Sequence, residues 1–329
     1  MSAHSLPHFE HPYSFDPRYG HTPEQLLAVE PPRCFDGLEA FWRESYAQAR
    51  AMETGWECRP SADETLQGHE LYDVYDVSFL ALGGRRIGGW LTVPRDTEPR
   101  CAVVVGHGYG GRAAPDLSPQ ALPSIRLYYC TRGFHRSAYD DLPDIASRHV
   151  VHGIESRESY ILRGCAGDLW AAVGALQAYA PQLADRVFYT GSSFGGGIGA
   201  LALPWEERLA RVHIGQPTFG NHPFRVSVPC TGSGEAVRHH VQEHPEALEV
   251  LRYFDGAVTA QFFKVPMLVS CSLFDPAVPP PGQFAIYNAI QGVEKALFQE
   301  PAGHFEYEGV VAVKEALQER VTEFFEAGL

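Results

Sequence analysis

Three side chains in this sequence have the types that acyl transfer through a serine requires. Ser193 lies in Gly191-Ser-Ser-Phe-Gly195, a G-x-S-x-G string. A serine hydroxyl is a weak nucleophile at neutral pH, so it needs a base within hydrogen-bond reach and a group to orient that base. His304, in Pro301-Ala-Gly-His304, supplies an imidazole, and Asp275, in Leu273-Phe-Asp-Pro-Ala-Val-Pro-Pro280, supplies a carboxylate. Together they could attack an ester carbonyl, hold the acyl group and release it to water.

A fourth element is Gly106-His-Gly-Tyr-Gly-Gly111, which directly follows an apolar run. One reading is a His-Gly loop whose backbone N–H groups face the nucleophile and stabilise an oxyanion. The same glycines also match G-x-G-x-x-G, a dinucleotide fingerprint that expects a helix at the glycines and an acid about 20 residues on. Here Arg112-Ala-Ala-Pro115 interrupts any helix, and the next strand ends at Tyr129-Cys-Thr-Arg132 without an acid, although Arg132 could suit a 2′-phosphate.

The elements that must position these residues follow from periodicity. Leu71–Phe79 alternates and connects through Leu82-Gly-Gly to Arg86–Val93, which predicts a β-hairpin. Short, continuously apolar runs then recur at Cys101–Val105, Arg126–Thr131, Arg186–Thr190, Val212–Ile214, Val265–Cys271 and Ala296–Gln299. Such runs suit strands covered on both faces. Helical patterns alternate with them at Ser159–Tyr179, Gly196–Leu203, Pro281–Ile290 and Val310–Phe325, and another begins at Asp36 as N-cap. The alternation predicts a mostly parallel sheet with helices on both faces, preceded by an antiparallel hairpin. Ser193 then sits at a strand–turn–helix elbow, and Asp275 and His304 follow later strands. The chain order Ser, Asp, His is that of α/β-hydrolases. The expectation is one domain over 1–329, with an irregular arm at 1–35 and insertions at 133–158 and 216–260 near the site.

The chain has 26 Lys plus Arg against 40 Asp plus Glu, a net charge of −14. Its only lysines are Lys264, Lys295 and Lys314, which argues against nucleic acid or an anionic membrane as partner. No apolar run approaches the roughly 20 residues of a membrane span. The start, Met1–Phe15, has no secretory pattern, and seven cysteines without a C-x-x-C pair read as reduced thiols of a cytoplasmic protein. His4, His8, His11 and His21 follow no ligand spacing, and His239, His240 and His244 lack the H-E-x-x-H glutamate, so no metal site is expected.

From Phe35 to Phe325 the chain resembles the cephalosporin C deacetylase and acetyl xylan esterase family of α/β-hydrolases. The likeness rests on Glu39-Ala-Phe-Trp-Arg-Glu-Ser45, the hairpin from Val74 through Gly83-Gly-Arg-Arg-Ile-Gly-Gly-Trp-Leu91, and His107-Gly-Tyr-Gly-Gly111. It continues through Arg132-Gly133, Tyr160-Ile-Leu-Arg-Gly164 with Asp168, Ser193-Phe-Gly-Gly-Gly197, Asp275 with Pro279-Pro280, and Gly303-His304. The resemblance implies Ser193 as nucleophile, His304 as base, Asp275 as its orienting acid, and the N–H groups of Tyr109 and Phe194 as oxyanion hole. It further implies deacetylation of sugars or related small alcohols without a cofactor, in a homo-oligomer (dimer or hexamer). Three positions depart from the family pattern. Phe134 replaces the Gln of Arg-Gly-Gln, Phe194 replaces the Gln after the nucleophile, and Phe305 intervenes between His304 and Glu306. Tyr109, Phe134 and Phe305 are the expected substrate-binding side chains, lining a narrow apolar pocket. A peptidase or thioesterase on the same scaffold, or a catalytically silent binding protein, are the rival readings.

Overall fold

In the computed structural model, which describes residues 9–329, the alternating run forms β2 (Tyr72–Ala81) and turns at Leu82-Gly-Gly into β3 (Arg85–Pro94). An edge strand, β1 (Glu57–Pro60), pairs antiparallel with β2. It has no sequence signal because it is short, largely exposed and ends in a proline, as edge strands often do. β3 pairs antiparallel with β5 (Ser124–Tyr129). From there the sheet is parallel through β4 (Cys101–Val105), β6 (Val187–Ser192), β7 (Arg211–Gly215), β8 (Met267–Ser272) and β9 (Lys295–Glu300). Among the described residues the nine strands are ordered β1-β2-β3-β5-β4-β6-β7-β8-β9.

The pleat of β4 shows why its apolar run is unbroken. Ala102 and Val104 enter the larger core, whereas Cys101 and Val103 enter a second cluster with Phe188 and Leu268. The larger core is completed by α2 (Leu38–Arg50), α4 (Ile161–Tyr179), α5 (Phe194–Ala202), α9 (Gly256–Thr259) and α10 (Pro280–Ala289). The second cluster is closed by Val321, Phe324 and Phe325 of α11 (Val310–Glu326). The α/β-hydrolase architecture read from the alternation is therefore the one observed.

Some details differ. Gly37, at φ 92°, is the N-cap of α2 and makes no side-chain cap, so Asp36 does not have that role. β5 starts at Ser124 and ends at Tyr129, because Thr131 donates its N–H to His107 Nε2 instead of extending the ladder. The weakly periodic insertions contain α3 (Ala146–His149), α6 (His222–Arg225) and α8 (Ala247–Leu251), each too short to show a period, and the eleven-residue α7 (Ser233–Glu243), which buries only Gly234, Val237 and Val241. The arm includes α1 (Pro23–Leu27), whose capping box joins Thr22 and Gln25 and whose Leu26 is fully buried. Among the described residues no helix is long and apolar enough to cross a membrane. All seven cysteines are free.

Candidate active site

β6 delivers the chain into a sharp turn at Ser193, which has φ 57° and ψ −116°, and α5 begins at the next residue. This is a left-handed, strained conformation for a residue with a side chain, held by its surroundings. Ser193 N–H donates to the Gly215 carbonyl at 2.8 Å, and its own carbonyl accepts from Thr218 at 3.2 Å. Gly195 lets the two critical loops meet, since a Cβ there would lie 3.0 Å from the carbonyl oxygen of His107.

The loops after β8 and β9 bring the other two groups to this turn. His304 Nε2 lies 2.9 Å from Ser193 Oγ, and its Nδ1 lies 2.8 Å from Asp275 Oδ2. Asp275 is fully buried, and its Oδ1 accepts from the N–H groups of Ala277 at 2.9 Å and Val278 at 2.8 Å. Its Oδ2 also accepts from Ser272 Oγ at 3.2 Å and Gln283 Nε2 at 3.1 Å. Gly303 keeps this carboxylate accessible, because a Cβ there would stand 2.5 Å from Oδ2. The arm contributes too, as the Pro17 carbonyl accepts the Asp275 N–H at 3.0 Å.

Electrostatics favour a base of this kind. Burial works against the charged imidazole of His304, but the Asp275 charge and hydrogen bond, with Glu300 behind, outweigh it and raise its pKa above the ordinary 6.5. A base must be neutral to accept a proton, so kcat/KM is expected to fall as pH drops through this raised value. The acid limb should therefore be centred above 6.5. A pH–rate profile for kcat/KM checks this, and a limb centred below the ordinary imidazole value would contradict it.

The oxyanion loop is pinned from behind. Asp168, fully buried at the centre of α4, pairs with Arg132 at 2.6 Å and accepts its N–H at 2.9 Å. The Arg132 carbonyl can only accept, so His149 Nε2 carries the hydrogen of their 3.0 Å bond, and Nδ1 is left to accept from Tyr109 Oη at 3.1 Å. Burial pushes the pKa of His149 down to about 4, which keeps it neutral in this relay. His107 is also neutral, pushed to about 4 by burial, and braces the loop between Thr131 N–H and the Gly108 carbonyl. Among the described residues neither Tyr109 N–H nor Phe194 N–H is donated within the chain, which leaves both available to a ligand oxygen.

Two of the three departures from the family pattern meet here. The Phe194 ring stacks on Tyr109 at 4.1 Å between centroids, and Phe134 meets both edge-on. Phe134 is 1% exposed and lies in the cluster behind Tyr109. Phe305 is half-buried and turns toward the arm, against Phe9, Tyr13 and Phe274. Sequence reasoning missed Ser272, Gln283 and Glu300, whose roles arise only when separate elements converge. It also missed His149, which gave no signal beyond being one histidine of fifteen. His4 and His8 lie outside the described residues, and no metal-binding cluster occurs among those described.

The sequence profile of one family, described as acetyl xylan esterase (AXE1), matches residues 30–319. The chain belongs to the acetyl xylan esterase family. The match spans the elbow, both later loops and the oxyanion loop, but stops short of the arm that touches Asp275. The acetyl esterase Axe7A of Xylanibacter ruminicola is 19% identical over 303 residues, covering 87% of this chain and 66% of that protein. This chain thus spans about two thirds of that relative's length. Among solved structures, acetyl xylan esterase 1 from Thermoanaerobacterium sp. superposes with a TM-score of 0.77 at 20% identity, over 92% of this chain and 98% of that one. The acetyl xylan esterase from Paenibacillus sp. R4 also gives 0.77, at 22% identity, over 94% and 100%. Family membership makes a carboxylic ester hydrolase the class to which this geometry belongs.

Proposed function

We propose that this protein is a serine esterase that removes acetyl groups from sugars or related small alcohols. The observation that carries the reading is the continuous hydrogen-bonded line from Ser193 Oγ through His304 to Asp275. Ser193 attacks the ester carbonyl as His304 Nε2 takes its proton. Asp275 holds the imidazole tautomer and stabilises the imidazolium. The N–H groups of Tyr109 and Phe194 receive the developing oxyanion, each worth about 3 kcal/mol in the transition state. His304 returns the proton to the leaving alcohol, and water, activated by the same imidazole, releases acetate from the acyl-enzyme.

The stacked Tyr109 and Phe194 rings, backed by Phe134, support a short apolar acyl site. p-Nitrophenyl acetate should be hydrolysed faster than the butyrate, with the octanoate at least about tenfold slower in kcat/KM. An octanoate rate equal to or above acetate overturns the acetyl preference. A panel adding short peptides and acyl thioesters separates the esterase from its rivals on this scaffold. Acetylated xylo-oligosaccharides and cephalosporin C, assayed side by side, identify the preferred alcohol. The reading includes a dimeric or hexameric assembly, measurable by light scattering. It also places the enzyme in the cytoplasm, supported by seven free thiols.

A further inference from the structure

Arg225, the last residue of α6, is 3% exposed, and its Nε and Nη1 are buried without a hydrogen-bond partner. Its contact with the Phe219 ring, at 5.4 Å, offers no counter-charge. The buried carboxylate of Asp255 attracts it without bonding to it. The oxygens of Asp255 are taken up by the N–H groups of Asn221 and Ala257 at 2.8 and 2.9 Å and of His222 at 2.7 Å. Among the described residues Arg225 has no ion pair. A guanidinium keeps its proton, and buried charges in folded proteins are ordinarily paired.

A second positive feature adjoins it. The eleven-residue helix α7 starts against this guanidinium, so closely that a Cβ on Gly234 would lie 3.0 Å from Nε and 3.1 Å from Nη2. The N-cap is Gly232 and provides no side-chain cap, which leaves the positive end of the helix dipole beside the cation. Glu235, the acid of that first turn, is occupied by Cys230 N–H at 3.1 Å and by Arg238 at 2.9 Å. An anion bound between the guanidinium and the helix end would be stabilised by both.

Their place in the fold is beside the loop that carries the triad's aspartate. Thr231 N–H donates at 2.7 Å to the carbonyl of Pro276, the residue after Asp275. On the other side the guanidinium lies over the Phe219 ring, which meets Phe194 edge-on at 6.1 Å, and Phe194 in turn stacks on Tyr109 of the oxyanion loop. Thr231 is exposed, and Gly232 and Ser233 are partly so, which opens the turn to solvent.

We infer that Arg225 and the first turn of α7 bind a carboxylate carried by the alcohol half of the ester, making the substrate an acetylated sugar acid. An acetyl group has no room for an anion, so the charge belongs to the alcohol. In assigning it to that half, the inference rests on the deacetylase reading above.

The monoacetates of methyl glucuronide and methyl glucoside test this, since the two sugars differ only in carboxylate against hydroxymethyl. The wild-type enzyme should favour the glucuronide by about 30-fold or more in kcat/KM, and Arg225→Met should reduce the ratio to near unity while glucoside turnover changes less than about threefold. Should that variant fail to fold, Arg225→Lys should retain a weakened preference. Binding of the deacetylated glycosides to Ser193→Ala, read by calorimetry, is independent of catalysis. Glucuronide binding in that variant, lost on adding Arg225→Met, upholds the anion site even if no acetyl ester is hydrolysed, in which case only the deacetylase reading fails. Hydrolysis of both monoacetates at equal rates, or glucuronide binding no tighter than glucoside, overturns the anion site and leaves the esterase reading standing.

Discussion

Ser193→Ala is expected to remove acetate release almost entirely, by about 10⁶-fold in kcat, with KM little changed. Among the described residues the deleted oxygen is the one nucleophilic atom bonded to His304 Nε2, so loss of the hydroxyl removes a reaction path and not merely a contact. Residual hydrolysis would come from the oxyanion donors acting on water. The fold should tolerate the change, because the turn at 193 is held by main-chain bonds to Gly215 and Thr218 that alanine preserves. Circular dichroism on the same sample separates lost chemistry from lost structure. A folded variant keeping more than a small percentage of wild-type turnover would show that another nucleophile is at work.

Asp275→Asn should cost about 10⁴-fold in kcat, and the surroundings of the carboxylate dictate why. Oδ1 accepts two main-chain N–H groups, from Ala277 and Val278. An asparagine must keep its carbonyl oxygen there, which places its NH₂ at the Oδ2 position facing His304. The imidazole can then only accept at Nδ1, so its hydrogen moves to Nε2, where it blocks proton transfer from Ser193. Loss of the charge that raises the His304 pKa should also move the acid limb to lower pH. Steady-state rates and a pH profile of the one variant read both effects. A kcat within tenfold of wild type would show that Asp275 does not set the tautomer.

The framework was legible because the strands repeat one signal: short apolar runs, each followed by a loop or helix start. Ser193, Asp275 and His304 could be read because each stands within about five residues of the end of such a run, so their positions depend on local order. The supports of the site were not readable in the same way. Gln283 reaches Ser272 and Asp275 from the side of a helix whose pattern is simply apolar. His149 matters because its two ring nitrogens bridge Arg132 and Tyr109, elements that meet only in the folded sheet. The arm is instructive in another way. Its residues 9, 11, 13 and 15 alternate between half-buried and exposed neighbours, yet the partners of that alternation are the Asp275 and His304 loops far along the chain. Phe134 and Phe194 looked like two independent departures from the family pattern. Folded, they belong to one aromatic cluster around Tyr109, so exchanging either alone should disturb the other.

Covalent labelling probes the proposed nucleophile most directly. The protein is treated with a fluorophosphonate, digested, and the adduct located by peptide mass spectrometry. A single adduct on Ser193, prevented by prior saturation with an acetyl ester and strongly slowed in His304→Ala, is the expected result. A folded protein that takes up no label, or takes it up at another residue with Ser193 unmodified, would contradict the assignment of this serine as nucleophile.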